Sequence, residues 1–336
     1  MNLPSIPPPD REAQNTARLR QHTRVKPVGA LGDLEDLSIR LAGMTGRIDW
    51  LPLRRAVVVC AADHGVTAQG VSTVPSAITA YMVRQFLNGT AAVSVLARQM
   101  NAHLLVVDAG VAGELEDHPQ LIRARIAPGT ADFSLGPAMT AAQADRAVQL
   151  GLDVADRIIP PGLDLLAVGE MGIGNTTAAS AIIAAITGHT PNQVTGRGTG
   201  LDDVRLNHKI HVIEQALQVN APANDQTLAK VGGFEIGAMA GLMLGAASRR
   251  IPVVLDGLIC TAAALIAHQM EPAVQNYLIA GHLSAEPGHR IALDYLGLRP
   301  ILQLNMRLGE GTGALLAMPI LEAAMRTLQE MAELTP

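Results

Sequence analysis

Short apolar runs recur along the chain, each closed by glycine and acidic residues and followed by a stretch with helical spacing. The sharpest begins at Leu165–Gly169, runs through Glu170, Met171, Gly172, Ile173 and Gly174, and enters an alanine-rich segment at Asn175, Thr176 and Thr177. Apolar runs predict strands at Arg55–Cys60, His103–Asp108, Asp164–Gly169, Ile251–Asp256, Ala273–Ala280 and Pro300–Asn305. Helical spacing predicts helices at Leu34–Met44, Ser76–Met100, Thr140–Ile158 and Asn175–Thr187. Further helices follow near Asp202–Val219, then at Glu235–Ser248, Leu258–Met270 and about 312–333. Residues 1–30 read as a proline-rich arm that packs on the body or on a second subunit, and 111–138 as loop. Strands alternating with helices make a parallel sheet covered on both faces, whose strands are apolar throughout.

The polar residues add to this picture. Asp63, Asp108, Glu170, Asp256, Ser284 and Glu310 each come just after an apolar run, at the carboxyl edge of the expected sheet. In open α/β sheets ligands bind at that edge. The glycines after Glu170 permit a sharp turn, and Asn175 or Thr176 suits a helix N-cap. Such a turn offers N–H groups and a helix dipole to an anion, although an ordinary strand-to-helix turn has the same composition. Glu170 tips the balance, because a carboxylate beside an anion site is awkward unless chemistry requires it.

Composition narrows the classes. The 336 residues are 49% hydrophobic and 16% charged, which describes a globular α/β protein with a large core. A formal charge of −5 with scattered arginines argues against nucleic acid and anionic membrane as partners. Aromatic residues make up 2%, so a bound ring would be gripped by aliphatic side chains and backbone. Cys60 and Cys260 sit in apolar contexts that suit a reduced interior. The polar N-terminus reads as no signal peptide, and no apolar run reaches the roughly 18 residues of a membrane span, so a cytoplasmic protein is expected.

Individual residues leave choices open. Glu310, between glycines, suits a general base or a carboxylate favoured by the dipole of the closing helix. Asp256–Gly257 fits ribose hydroxyls or a strand-ending turn. Lys209, one of three lysines with Lys26 and Lys230, suits a phosphate, a carboxylate or the surface. Asp63–His64 fits an acid/base or metal pair, or a turn with a locally satisfied histidine. His208 and His211 share a helical face without a third ligand, and His282 and His289 lack ligand spacing, so no metal is expected. The GxGxG fragments at Gly196–Gly200 and Gly309–Gly313 have the wrong spacing for NAD. There is no P-loop, nor the acidic pair with a threonine-rich loop that phosphoribosyl pyrophosphate enzymes use with magnesium.

Taken together, AADHGV (61–66), GEMGIGNTT (169–177), GRGTGLDD (196–203), VVLDG (253–257), GHLSAEPGH (281–289) and LGEGTGA (308–314) resemble one family over nearly the whole chain. That family is nicotinate-nucleotide–dimethylbenzimidazole phosphoribosyltransferase, of the late cobalamin pathway. The resemblance implies a doubly wound, Rossmann-like, mainly parallel α/β sheet with a small helical domain built from the chain ends, assembled as a homodimer. Residues 1–50 would form the arm and part of the small domain, 51–310 the nucleotide-binding domain, and 311–336 the completing helix. The implied reaction moves phosphoribosyl from nicotinate mononucleotide to 5,6-dimethylbenzimidazole without a cofactor, giving α-ribazole 5′-phosphate and nicotinate.

By the same resemblance Glu310 is the general base, with Glu170 and Lys209 the charged residues around the nucleotide. Gly172, Gly174, Asn175, Thr176 and Thr177 would cradle the phosphate. Asp256 would hold the ribose and Ser284 the nicotinate end, while Met171, Leu308, Ser76 and Gln85 would line the base pocket. Rival readings are the same fold on another acceptor, such as adenine or a phenol, and a non-catalytic nucleotide-binding protein.

Overall fold

The computed structural model describes residues 3–223 and 226–334. Two helices open the chain, α1 (Arg11–His22) and α2 (Asp33–Thr45), before β1 (Arg55–Ala62). Next come α3 (Ala77–Leu87), α4 (Ala92–Gln99), β2 (Ala102–Gly110), β3 (Leu121–Arg123), α5 (Ala141–Ile158) and β4 (Leu165–Met171). Four helices follow: α6 (Asn175–Thr187), α7 (Pro191–Val194), α8 (Asp203–Asn220) and α9 (Thr227–Val231). The rest is α10 (Phe234–Ala247), β5 (Val253–Leu255), α11 (Leu258–Met270), β6 (Leu278–Ala280), α12 (Pro287–Tyr295) and α13 (Thr312–Glu330).

The sheet has the order β3-β2-β1-β4-β5-β6, and every pairing is parallel. From β1 the chain steps outward to β3, then returns to start β4 and steps outward the other way. The fold is therefore doubly wound, and its direction reverses between β1 and β4. A crevice forms at the carboxyl ends of the strands on either side of such a reversal.

The sequence explains the layers. β1 reads RAVVVCAA and is buried along nearly its whole length, as a strand covered on both faces must be. On one face α10 lies over β1, β2 and β4, flanked by α5 and α11. All fourteen residues of α10 are buried, so it needs no polar stripe. Its small residues allow the tight approach expected of them: a Cβ on Gly241 would lie 1.9 Å from Val148 O, and one on Gly151 of the facing α5 would lie 2.0 Å from Ala238 O. On the other face α4 lies against β2, and α13 against β4 and β5. α13 also packs on α2, and α2 on α1. Among the described residues no helix is long and apolar enough to cross a membrane.

Several expected boundaries are corrected. The helix expected at Ser76–Met100 is two, parted at Asn88–Gly89–Thr90, where Gly89 takes φ +77°. The arm contains α1, capped by Asp10 accepting from Ala13 N–H at 2.9 Å. It packs on the body, since Tyr277 Oη donates to Pro7 O at 2.9 Å. The stretch expected as loop holds the edge strand β3. Of Ala273–Ala280 only the last three residues are strand, the rest being a 3-10 turn that begins at Pro272. Pro300–Asn305 is not a strand; one bridge joins Leu302 to His282, and Asn305 turns to φ +55°.

Candidate active site

A cavity of about 380 Å³ opens beside the reversal, at the carboxyl ends of β4, β5 and β6. Nine of the expected site residues line it: Glu170, Met171, Gly172, Gly174, Asn175, Thr176, Ser284, Leu308 and Glu310. The strand β4 delivers Glu170 to the rim and the glycine turn begins at once. Gly174 at φ +95° precedes α6, whose first turn has no side-chain cap. The N–H groups of Asn175 and Thr177 turn back on Gly172 O and Gly174 O at 3.1 and 3.0 Å, and the positive end of the α6 dipole faces the cavity with no side chain across it.

Lys209 stands behind this turn. Its side chain is fully buried, and Nζ donates to Thr176 Oγ1 at 2.8 Å, a hydroxyl rather than a carboxylate. Burial pushes its ammonium down to about 8, against a raising influence from Glu286. A buried cation beside an uncapped helix start is built to receive an anion. Thr177 faces inward, fully buried, and does not line the cavity.

The two glutamates meet through a close backbone crossing. A Cβ on Gly169 would lie 2.3 Å from Glu310 O, and one on Gly309 2.2 Å from Glu170 Oε1. The turn Gly309–Glu310–Gly311 takes φ of +87°, +65° and +91°. For Glu310 that left-handed conformation costs about 1–2 kcal/mol, and such strain gathers at functional sites. Glu310 Oε2 accepts from Val93 N–H, in the first turn of α4, at 3.3 Å. Glu170 accepts from the Asn175 amide and, at 3.4 Å, from Glu310 N–H.

Neither carboxylate gains a guanidinium or ammonium from these bonds. Burial pushes Glu170 up to about 8; Asp256 and Glu235 add to the rise, and the bonds from Asn175 and Glu310 N–H oppose it. Burial also raises Glu310, opposed by the Val93 N–H and assisted by Asp256. A carboxylate so destabilised as an anion is a stronger base than a free one whenever it is ionised.

The remaining expected residues lie elsewhere. Asp256 is fully buried beneath the turn, its oxygens accepting from the N–H groups of Gly311, Gly313 and Ala314. Ser76 Oγ lies 3.1 Å from Thr67 Oγ1, and Gln85 Oε1 accepts from Thr90 at 2.7 Å; neither lines the cavity. From α3 it is Ile78 and Met82 that do so, with Val71 and Val74 from the preceding loop. That wall is aliphatic, as the scarcity of aromatic residues implies.

Sequence reasoning passed over Glu286 and Arg307, and weighed His289 only as a metal ligand. Glu286, in the 281–289 segment, lines the cavity and accepts from Gly198 N–H at 3.1 Å. Arg307 donates to Gly198 O at 2.9 Å. His289 accepts from Ser284 N–H at 2.9 Å through Nδ1 and lies 2.9 Å from Thr261 Oγ1 through Nε2. Burial, with His282 and Arg290, pushes His289 down to about 3, so it is neutral and orients Ser284. Such partners are set by tertiary contact, and no local spacing announces them.

A family model for phosphoribosyltransferases matches residues 6–335. The nicotinate-nucleotide–dimethylbenzimidazole phosphoribosyltransferase of Chloroflexus aggregans is 55% identical over 97% of this chain and 94% of its own. The protein of that name from Desulforamulus reducens is 48% identical over 98% and 95%. The crystal structure of the enzyme from Thermus thermophilus superposes with a TM-score of 0.92 at 47% identity, covering 96% of this chain and 97% of that one. Likeness in sequence and in structure runs along nearly the full length: the chain belongs to the nicotinate-nucleotide–dimethylbenzimidazole phosphoribosyltransferase family.

Proposed function

We propose that this enzyme transfers 5-phosphoribosyl from nicotinate mononucleotide to 5,6-dimethylbenzimidazole, with Glu310 as general base. The donor phosphate sits on the turn from Gly172 to Thr177, neutralised by Lys209, and the nicotinate end lies toward Ser284. The acceptor ring occupies the aliphatic side, against Met171, Leu308, Ile78 and Met82. The observation that carries this reading is the crossing of the 309–311 turn over β4, which brings two buried carboxylates between an anion site and an apolar wall.

The bond between C1′ and the pyridinium nitrogen breaks, and its electron pair leaves with nicotinate. An acceptor ring nitrogen bonds to C1′ from the opposite side, so the β-anomer becomes the α-anomer. The acceptor's other ring nitrogen gives its proton to Glu310. Glu170 faces the positive charge shared by the pyridinium and C1′, and that charge favours its ionised form. Positioning supplies much of the acceleration, and the base about 10²–10⁴-fold.

The test is incubation with nicotinate mononucleotide and a panel of acceptors (5,6-dimethylbenzimidazole, adenine and a phenol), with products identified by mass spectrometry. α-Ribazole 5′-phosphate and free nicotinate are expected; absence of nicotinate release with every acceptor would sink the reading. Glu310→Gln is expected to fold and bind the mononucleotide while losing about 10²–10⁴-fold in turnover. Near-normal turnover in that variant removes Glu310 from the role.

A further inference from the structure

Asp256 follows β5 and is fully buried. Its Oδ2 accepts from Gly311 N–H at 3.0 Å, and its Oδ1 from Gly313 N–H at 2.7 Å and Ala314 N–H at 3.3 Å. These are donors at the start of α13, whose own N-cap is Gly311 with no side chain to offer. Asp256 thus caps a helix from a distant part of the chain and sets its charge against the positive end of that helix. His282 adds a fourth neighbour, with Nε2 3.2 Å from Oδ1.

The capped segment carries the left-handed Glu310. A strained conformation persists only where its surroundings over-determine it. Three supports surround this one. The floor is β4, which Gly169 lets the turn approach. Val93 N–H holds the Glu310 carboxylate itself. Asp256 fixes the backbone on the C-terminal side.

We infer that Asp256 is a positioning residue for Glu310, fixing the 309–314 turn and through it the base, instead of binding the ribose. The inference rests on the general-base reading of Glu310. A carboxylate this deep, engaged by three backbone donors, has its bonding satisfied before any substrate enters. It keeps the carboxylate of Glu310 turned toward the cavity.

The experiment compares steady-state rates of the wild type, D256N, E310Q and the double variant with nicotinate mononucleotide and 5,6-dimethylbenzimidazole. D256N is expected to lower kcat about 10- to 100-fold while KM for the mononucleotide stays within about threefold. The double variant is expected within about threefold of E310Q alone, because Asp256 acts through Glu310. The charged and titratable groups sharing the cavity with Glu310 are Glu170 from β4, His282 and Glu286 beyond β6, and Arg307, with Asp256 buried beneath and the Val93 N–H from α4 on its carboxylate. Removing the Asp256 charge takes away one influence that raises Glu310, so the acid limb of the kcat profile moves to lower pH.

A tenfold or greater rise in that KM at near-normal kcat, multiplying losses in the double variant, or unchanged kinetics in D256N beside a dead E310Q would each overturn the inference. The last result leaves the base reading standing; an active E310Q removes the base reading itself. Hydrogen exchange on the wild type covers the case in which D256N does not fold. Amides of 311–314 are expected to be protected in the free enzyme and to stay so with nicotinate mononucleotide bound. Faster exchange on binding means the carboxylate has turned to the ribose, and the inference fails.

Discussion

At the carboxyl edge of the sheet Glu170, Glu310 and Asp256 are buried against amide and backbone N–H groups. At the amino edge the buried Asp164 and the half-buried Glu322 meet guanidinium groups. Asp164 accepts from the Arg54 side chain at 2.9 and 3.2 Å, and Glu322 accepts from Arg55 and Arg326. The amino edge also holds the larger cleft, about 840 Å³, lined by Arg54, Arg55, Arg98 and Arg157. Cavity size therefore points away from the proposed site, and uncompensated charge points toward it. Glu170 at one edge and Glu322 at the other shift in opposite directions. Burial raises Glu170 to about 8, whereas hydrogen bonds from Arg326 and Arg55 outweigh burial and hold Glu322 below its ordinary value.

The largest expected effect comes from closing the crossing at the carboxyl edge. Gly169→Ala puts a methyl 2.3 Å from Glu310 O, and should cost about 2–3 kcal/mol in urea unfolding and at least a hundredfold in kcat/KM. An alanine variant with wild-type kinetics would mean that the crossing is not needed. Lys209→Met comes next: KM for the mononucleotide should rise about a hundredfold, while the free protein gains thermal stability by losing a buried cation. A lower Tm in that variant counts against an uncompensated charge.

Glu170→Gln sharpens the contrast through pH. The folded protein holds a proton up to about pH 8 that the unfolded chain releases near its ordinary value of 4.5. Wild-type stability therefore falls as pH rises across that window, and the glutamine variant escapes the fall. Its advantage should grow from pH 5 to pH 8, to on the order of a few kcal/mol, in thermal melts. Glu322→Gln, the smallest effect, has the opposite sign. It should cost about 0.5–1 kcal/mol at neutral pH, a cost that shrinks as pH falls below the ordinary carboxylate value, with kinetics unchanged. If both variants respond to pH in the same direction, the contrast between the edges collapses.

Legibility followed how local the determinants were. The strand, turn and helix at 165–177 could be read because an apolar run, glycines and an N-terminal polar cluster are all contiguous. Helical spacing announced α5, and the structure adds a capping box from Thr140 and Gln143 at its start. The break at Gly89 was equally local, yet apolar spacing on both sides masks it. α1 buries only Ala13, Ala17 and Gln21, too thin a stripe to register as apolar periodicity. Pro300–Asn305 looks like a strand, but it meets the sheet at one bridge. The lining of the cavity was legible where motifs carry it. Ile78, Met82 and Glu286 were not, because a surface formed by three distant segments has no signature in any one of them.

The sheet's pairing is uneven, and this has a mechanical consequence. β1 is in register with β2 at eight positions and with β4 at seven, while β4 meets β5 at only two. The seam between β4 and β5 is thus the least-stitched line in the sheet, and the cavity straddles it, with Thr176 on one bank and Ser284 on the other. A molecule touching both banks acts as a suture, so the occupied enzyme should resist local opening at that seam more than the empty one does.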